Sequence, residues 1–558
     1  FDGRLTGIVD ENNSRLSSFY YDTFGIATRT THAGGAGNYV VNNGGWPSSV
    51  TVTDPRGTLR TYGYVSVNGA YRNSFIRQPA VSGVGTVQST TSYTGSGNVA
   101  TRVDFNGNRT NYTSYDTARN LELIRVEALT SAGASTPQTR TINTQWDTNF
   151  RLPTGIAEPL RITTNVYDSN GSACGARGAL CSKSIQATTD TNGASGFGAT
   201  STGTARTWTY TYNANGSLLT ANGPRTDVSD VTTYSYYANN DADAGKRGNL
   251  ESITNAAGHV TSFAAYNVHG QPTSIVDPNG LTTTLAYDLR QRLASRTVGG
   301  EITSYDYDNA GQLTKVTLPD GSFLSYSYDA AHRLTGMEDN LGNKITYTLD
   351  AMGNRTLEEV RDPGNNLAQT RSRVFNNLNR LFQEIGAATQ TTQYAYDNQG
   401  NVTSVDGPLA GTGDVTTNAY DALNRLRQVT NPGAVVTQYA YNGLDALTQV
   451  TDPRSLVTSY TVDGLGNLNQ QVSPDTGNTA NTFDAAGNLL TQTDAKSQVT
   501  TFAYDALNRV TLITFHDGSK QAYAYDSGTN GLGRLNSVTE TDPGNTPTSV
   551  IAYAYDTH

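Results

Sequence analysis

Apolar and polar residues alternate along this chain in short bursts, each closed by turn residues. The stretch YDALNRVTLITFHDGSKQAYAYD, Tyr504 to Asp526, shows the unit. The β-branched and aromatic run "RVTLITF" reads as one strand and Asp517-Gly518 as a hairpin turn. "KQAYAY" reads as the returning strand, its alternation placing Tyr523 and Tyr525 on one face. A second turn follows at Tyr525-Asp526, as one did at Tyr504-Asp505. There the aspartate is placed to accept hydrogen bonds from the next backbone N–H groups. The fifth position of this turn holds Asn508, Asn424, His332 or Gly400, all residue types that tolerate positive φ. The unit is two strands and two turns.

The unit repeats. Tyr266, Tyr287, Tyr307, Tyr328, Phe375, Tyr396, Tyr420, Tyr441, Phe483, Tyr504 and Tyr525 fall mostly 21 residues apart, each but Tyr441 and Phe375 followed by Asp or, at 267, Asn. Leu349 and Val462 keep the acid (Asp350, Asp463) and lose the ring. The pairs Tyr287-Asp288, Tyr328-Asp329, Tyr396-Asp397, Tyr420-Asp421, Tyr504-Asp505 and Tyr525-Asp526 are thus expected to be structural turns, with Asp building and tyrosine pinning the strand end. Residues 207–558 are the regular array, 1–130 degenerate units, and 131–206 an insertion-rich part of the same architecture. Within the last, TDTNGASGFGATSTGTAR (189–206) reads as a flexible surface loop.

An all-β fold of tandem hairpins follows. About 26 units of two strands, at roughly 4.8 Å per strand, would make a ribbon on the order of 240 Å wide. Right-handed twist curls so wide a sheet, and open edges invite aggregation. Apolar residues are only 36% of the 558, and mean hydropathy is −0.48. That is too little for two sheets packed face to face throughout, so a single ribbon curling or spiralling into a hollow wall, wet on both faces, is expected.

Net charge is −10, with basic residues scattered, which argues against a nucleic-acid partner. No stretch approaches 18 consecutive apolar residues, so no membrane-spanning helix is encoded. The opening FDGRLTGIVDENN lacks a signal pattern and, like the closing IAYAYDTH, reads as the interior of a repeat. The chain is therefore expected to be a segment of something longer, and the lack of targeting signals is uninformative. Cys174 and Cys181 either close a disulfide, if the protein leaves the cytosol, or stay as reduced loop thiols.

The tyrosine-aspartate pattern at this spacing, as in YDAAHRL, YDALNRL and the DPNG turn at Asp277–Gly280, resembles the RHS (YD-repeat) family, strongly from about residue 206 onward. The resemblance implies a spiral β-cage. In bacterial members such a cage encapsulates a C-terminal toxin for delivery by contact or secretion systems; relatives form toxin-complex cocoons or animal cell-surface adhesion proteins. It further implies a secreted or cell-surface location, with the cargo, flanking parts of the same polypeptide and a secretion-system component as partners. The alternative is a cell-surface adhesion or matrix protein, with self-assembly or glycans as partners. Bacterial shells of this family close with a terminal Asp-Pro-x-Gly self-cleavage signature. Here Asp54 and Asp277 have the x-Gly continuation, but ordinary strand residues follow, so no self-cleavage and no toxin domain are assigned to this stretch.

Catalytic chemistry finds no constellation. The repeated aspartates occupy one turn slot, and an active site does not recur a dozen times. Structural placement accounts for nearly all of the six histidines: His332, His516 and His269 in or beside turns, His32 in a glycine-rich loop, His259 at a strand start and His558 at the end of the chain. Asn239–Glu251 nearly matches a calcium loop but has Ala244 at the glycine position and Leu250 at the final acid. NGASGFG lacks a nucleophile-elbow spacing. No enzyme activity, cofactor or metal is expected.

Overall fold

A computed structural model describes residues 3–81 and 83–557; His558 lies outside them. The described residues contain no α-helix, two short 3-10 turns and 46 strands belonging to one antiparallel sheet. Strands pair with their neighbours in sequence. Leu489–Thr493, for example, takes Gly477–Phe483 on one side and Val499–Tyr504 on the other. The strand count falls below the 52 implied by about 26 two-strand units of roughly 6 residues per strand. The reason lies in the first 212 residues, where strands such as Ser135–Trp146 and Ser201–Tyr212 run to 12 residues.

Two compact units divide the chain. One comprises 1–120, 126–139 and 303–437, and the other 121–125, 140–302 and 438–558. In each, turns from the first half of the chain meet turns of the regular array.

In the array, Val510–Thr514 is intermediate at every position, and Val499–Tyr504 alternates exposed with intermediate. These array strands are buried on neither face. Among the described residues every buried apolar side chain lies at or before Ala187: Ala36, Leu121, Ala128, Leu129, Ile142, Ala157, Pro159, Cys174, Ala176 and Ala187. With so little apolar burial, directional bonds must carry more of the array's specificity.

The stretch 189–206 is not an open loop. Ser201–Tyr212 is strand, Gly193 and Gly196 are buried, and Phe197 packs against Gly155 so closely that a Cβ there would meet its ring at 2.7 Å. Polar composition suggested mobility, but the Asp190 carboxylate accepts the N–H groups of Gly193 and Ser195 at 3.0 and 2.8 Å and folds the segment around itself.

Candidate functional site: the row of tyrosine-aspartate turns

Each turn is built by its aspartate. Asp505 Oδ1 accepts the N–H groups of Leu507 and Arg509 (2.9 and 3.0 Å), while its own N–H donates to Arg509 O (3.0 Å). The Asn508 N–H donates back to Asp505 O at 3.1 Å, with Asn508 at φ 60°. This is a four-residue turn followed by a left-handed residue and a bulge, and the register does slip at Ala503/Tyr504. Asp288, Asp329 and Asp421 repeat it, each Oδ1 taking two amides, and His332 and Asn424 sit at φ 61° and 59°. At Asp397 the amides come from Gly400 (φ 114°) and Asn401.

The opposite end of the hairpin uses the same geometry. Phe515 N–H donates to Ser519 O, Gly518 N–H donates to Phe515 O, and Gly518 lies at φ 85°. Asp517 is a middle residue of this turn and accepts Ser519 N–H at 2.9 Å. The turn is thus longer than the two-residue loop that an Asp-Gly pair most simply suggests. Asp526 also departs from the common form: it is itself at φ 66°, and its turn extends to Arg534. The Asp-Pro aspartates Asp54 and Asp277 are likewise turn acceptors, each taking two backbone N–H groups.

The tyrosines do more than finish a strand. The Tyr504 hydroxyl donates to Leu489 O (2.9 Å), Tyr525 to Val510 O (2.9 Å), Tyr328 to Leu313 O (2.9 Å), Tyr287 to Pro272 O (3.0 Å) and Tyr396 to Leu381 O (2.6 Å). Tyr420 reaches Val402 O at 2.9 Å. Each acceptor opens the strand that leaves the preceding turn, so the hydroxyl ties one turn to the next. Burial pushes the phenols of all six upward.

The sixth position, absent from the sequence reading, is a second tie. Arginine at this position in Arg333 and Arg509 holds its own aspartate and reaches the next turn. Arg380, whose turn carries Asn376 in place of the aspartate, reaches the next turn at Asp397 O and Asn398 O. Arg509 spans Asp505 (2.7 Å) and Asp526 (2.5 Å) and lies 4.3 Å from the Tyr525 ring centre. Arg333 donates to Asp329 and to Asp350 O, both at 2.7 Å. Where it is asparagine, its amide spans its own aspartate and the left-handed residue of the next turn. Asn354 thus reaches Asn379, Asn401 reaches Asn424, and Asn488 reaches Asn508.

The Arg292 N–H and then its guanidinium hold the Asp288 carboxyl below its ordinary range, and Arg509 does the same to Asp526. Such carboxylates are occupied acceptors rather than proton donors for a substrate.

Turns from the first half of the chain dock on this row. In the first unit Asn12 meets Asp308 (3.0 Å), Arg56 meets Asp350 (2.7 Å), Asn106 meets Asp397 (2.9 Å), and His332 Nε2 lies 2.7 Å from Asp10. In the second, Arg206 reaches Asn467 (2.6 Å) and His259 lies 3.3 Å from Asp526. Arg225, 3% exposed, bonds Asp505 O and holds Asp227 at 2.5 Å. The hairpin tip at Pro159-Leu160 seats on Gly443 and Gly464, where a Cβ would come within 2.3 Å of Pro159 and 1.8 Å of Leu160 O. Only glycine admits that approach. His32 abuts Gly37, and His269 and His516 lie in exposed turns.

Cys174 and Cys181 form a disulfide across an enlarged member of the same turn class, Tyr167-Asp168. Fully buried Asp168 accepts amides from Asn170, Gly171, Ala173, Cys174 and Gly175, and these, the Cys174 N–H foremost, lower its pKa to about 2. In the 239–251 segment Asp241 and Asp243 accept the N–H groups of Asp243 and Gly245. Among the described residues the one grouping of metal-ligand type is Asp168 with the two cysteines, whose sulfurs are bonded to each other.

Comparison with known proteins bears on the same row. Residues 266–301, 296–322, 307–340 and 328–366 match the RHS Repeat model, and residues 367–532 match the Teneurin YD-shell model. No curated protein matches the chain. Among solved structures, the Photorhabdus luminescens Tc holotoxin pore is similar at 14% identity over 97% of this chain and 30% of that one (TM-score 0.38). The TcdB2-TccC3 structure lacking its hypervariable C-terminal region is similar at 15% identity over 98% and 31% (TM-score 0.39). The chain spans under a third of the length of these solved chains.

Proposed function

Residues 266–532 belong to the RHS- and YD-repeat family, and from that premise we propose that the chain is wall: a segment of a non-enzymatic β-shell that encloses a polypeptide cargo, a toxin by the family resemblance. The observation that carries the reading is the occupied turn row. Its aspartates, tyrosines and sixth-position side chains bond to neighbouring turns, so the residues that a catalytic reading would recruit hold the wall together. Strands buried on neither face, with Val499–Tyr504 exposed on one, suit a sheet with solvent or cargo on either side. The Cys174–Cys181 disulfide supports a secreted or cell-surface location. It equally suits an adhesion or matrix protein of the same family.

Cryo-EM of the native full-length product separates the two. Density inside a closed lumen that the repeats do not account for, identified by mass spectrometry, is the expected result. An empty tube, an open sheet or copies joined end to end would reject encapsulation and favour the surface role.

A further inference from the structure

One surface feature, outside the residues matched by the family models, has the make-up of a ligand site. Trp46 stands on the tight turn between strands Tyr39–Asn42 and Ser49–Thr53. The turn is fixed by its backbone: Trp46 N–H donates to Asn43 O (2.9 Å), Ser49 N–H to Gly45 O (2.8 Å), and Tyr64 N–H to Ser48 O (2.8 Å). The Trp46 ring lies 4.9 Å from that of Tyr71 at 57° and 5.5 Å from that of Tyr64 at 67°. Tyr64 pairs with Asn73 and Tyr71 with Ser66 across the Leu59–Val67 and Ala70–Pro79 hairpin, so both tyrosines rise on one face. Trp46 and Tyr71 remain 49% and 48% exposed, forming a two-walled aromatic corner held open to solvent.

The polar atoms of this corner differ from those of the turn row. The row's tyrosines donate to backbone carbonyls and Trp146 Nε1 donates to Glu122 O, whereas the Trp46 indole N–H and the Tyr71 hydroxyl have no hydrogen-bond partner among the described residues. Two aromatic donors are thus displayed beside two aromatic faces. Their surroundings are hydroxyls and amides: Ser48, Ser66 and Asn68 are exposed, and residues 38–53 contain no charged side chain. Nearby, Arg60 is engaged by Asp54, and Arg72 lies over the Tyr93 ring.

From these we infer that the Trp46–Tyr71 corner binds a neutral carbohydrate, a hexose or N-acetylhexosamine ring whose C–H face lies on the indole and whose hydroxyls meet the indole N–H and the phenol. A sugar ring is apolar on its faces and polar at its edges, which is the pattern the corner presents. Rigid aromatic side chains bind at low entropic cost. The lack of nearby charge favours neutral over anionic sugars. A surface site of this size would bind weakly, in the millimolar range.

The test is a titration of the intact chain with maltohexaose, cellohexaose and chitohexaose, and separately with a proline-rich decapeptide. Tryptophan fluorescence and saturation-transfer NMR give the readouts. We expect saturable binding of at least one sugar below about 10 mM, weakened about tenfold or more by Trp46→Ala and by Tyr71→Ser, and unchanged by Trp208→Phe. Tyr71→Ser changes an exposed hairpin position and keeps the site testable if Trp46→Ala misfolds. No saturable binding of any of the three sugars, undiminished binding by a folded Trp46 or Tyr71 variant, or binding of the decapeptide alone would overturn the inference. A sugar site here stands or falls independently of whether a lumen holds cargo.

Discussion

The regular array from 207 to 558 and the stretch from 121 to 206 meet the same need by different means. In the array no apolar side chain is fully buried among the described residues, and turns are tied to turns by tyrosine hydroxyls and by arginine or asparagine at the sixth position. The earlier stretch buries Leu121, Ile142, Ala157 and Ala187 and enlarges its turns around the carboxylates of Asp168 and Asp190. A repeat can be stabilised by many small identical bonds, whereas an irregular insertion cannot borrow its neighbour's pattern and must bring its own core, its own acceptor and a covalent staple.

The largest expected effect lies where the two strategies meet within one unit. Gly464→Val puts side-chain carbons where Leu160 O already stands, so it should destabilise by about 3 kcal/mol or more, while Ala485→Gly at the matching slot of the next turn should cost less than about 1 kcal/mol. Urea unfolding of both variants checks this, and equal costs would mean that the seat at Pro159-Leu160 is not formed. Next comes Arg225→Ala, which removes buried bonds to the Asp505 turn and should cost about 2–3 kcal/mol by the same measurement.

The insertion stretch should respond to chemistry that leaves the array unchanged. Reducing Cys174–Cys181 releases a short loop and should cost about 2 kcal/mol, read as a lowered melting temperature under thiol. Asp168 adds a pH signature. Its folded pKa of about 2 lies below the ordinary 3.8, so its stabilisation is complete above about pH 4 and is lost as pH falls toward 2. Hydrogen exchange at the amides of 170–175 should accelerate across that window in the wild type, and Asp168→Asn should exchange fast already at neutral pH. The smallest effect is that of one tie in the array. Tyr504→Phe should cost about 1 kcal/mol, and the same change at Tyr287, Tyr396 and Tyr504 together should add nearly linearly because the turns are separate.

Much of the array was legible in the sequence because its turns are local. An aspartate accepting amides two and four residues on, and Asn508, His332 or Gly400 at positive φ, need only six consecutive residues to be recognised. What the sequence concealed depends on residues brought together from afar. The Tyr504 hydroxyl finds its acceptor 15 residues back, and Arg56 finds Asp350 across 294. Gly443 and Gly464 did leave a trace. They stand where the other turns of the array carry Leu, Val, Asn, Ser or Ala, a break in the repeat that marks close approach by another segment. The packed loop at 189–206 was hidden because Gly193 and Gly196 serve close contact with Thr141 and Asn143 rather than freedom.

The central claim is that turn-to-turn ties, not an apolar core, hold the array. Native-state hydrogen exchange at the turn amides of Leu507 and Arg509 tests it most directly, read against the flanking strands Val499–Tyr504 and Val510–Thr514. We predict that these turn amides exchange as slowly as the strands and that Tyr525→Phe, which frees Val510 O, speeds turn and strand together. Turn amides that exchange as freely as an ordinary exposed loop, beside strands that stay protected, would contradict the account.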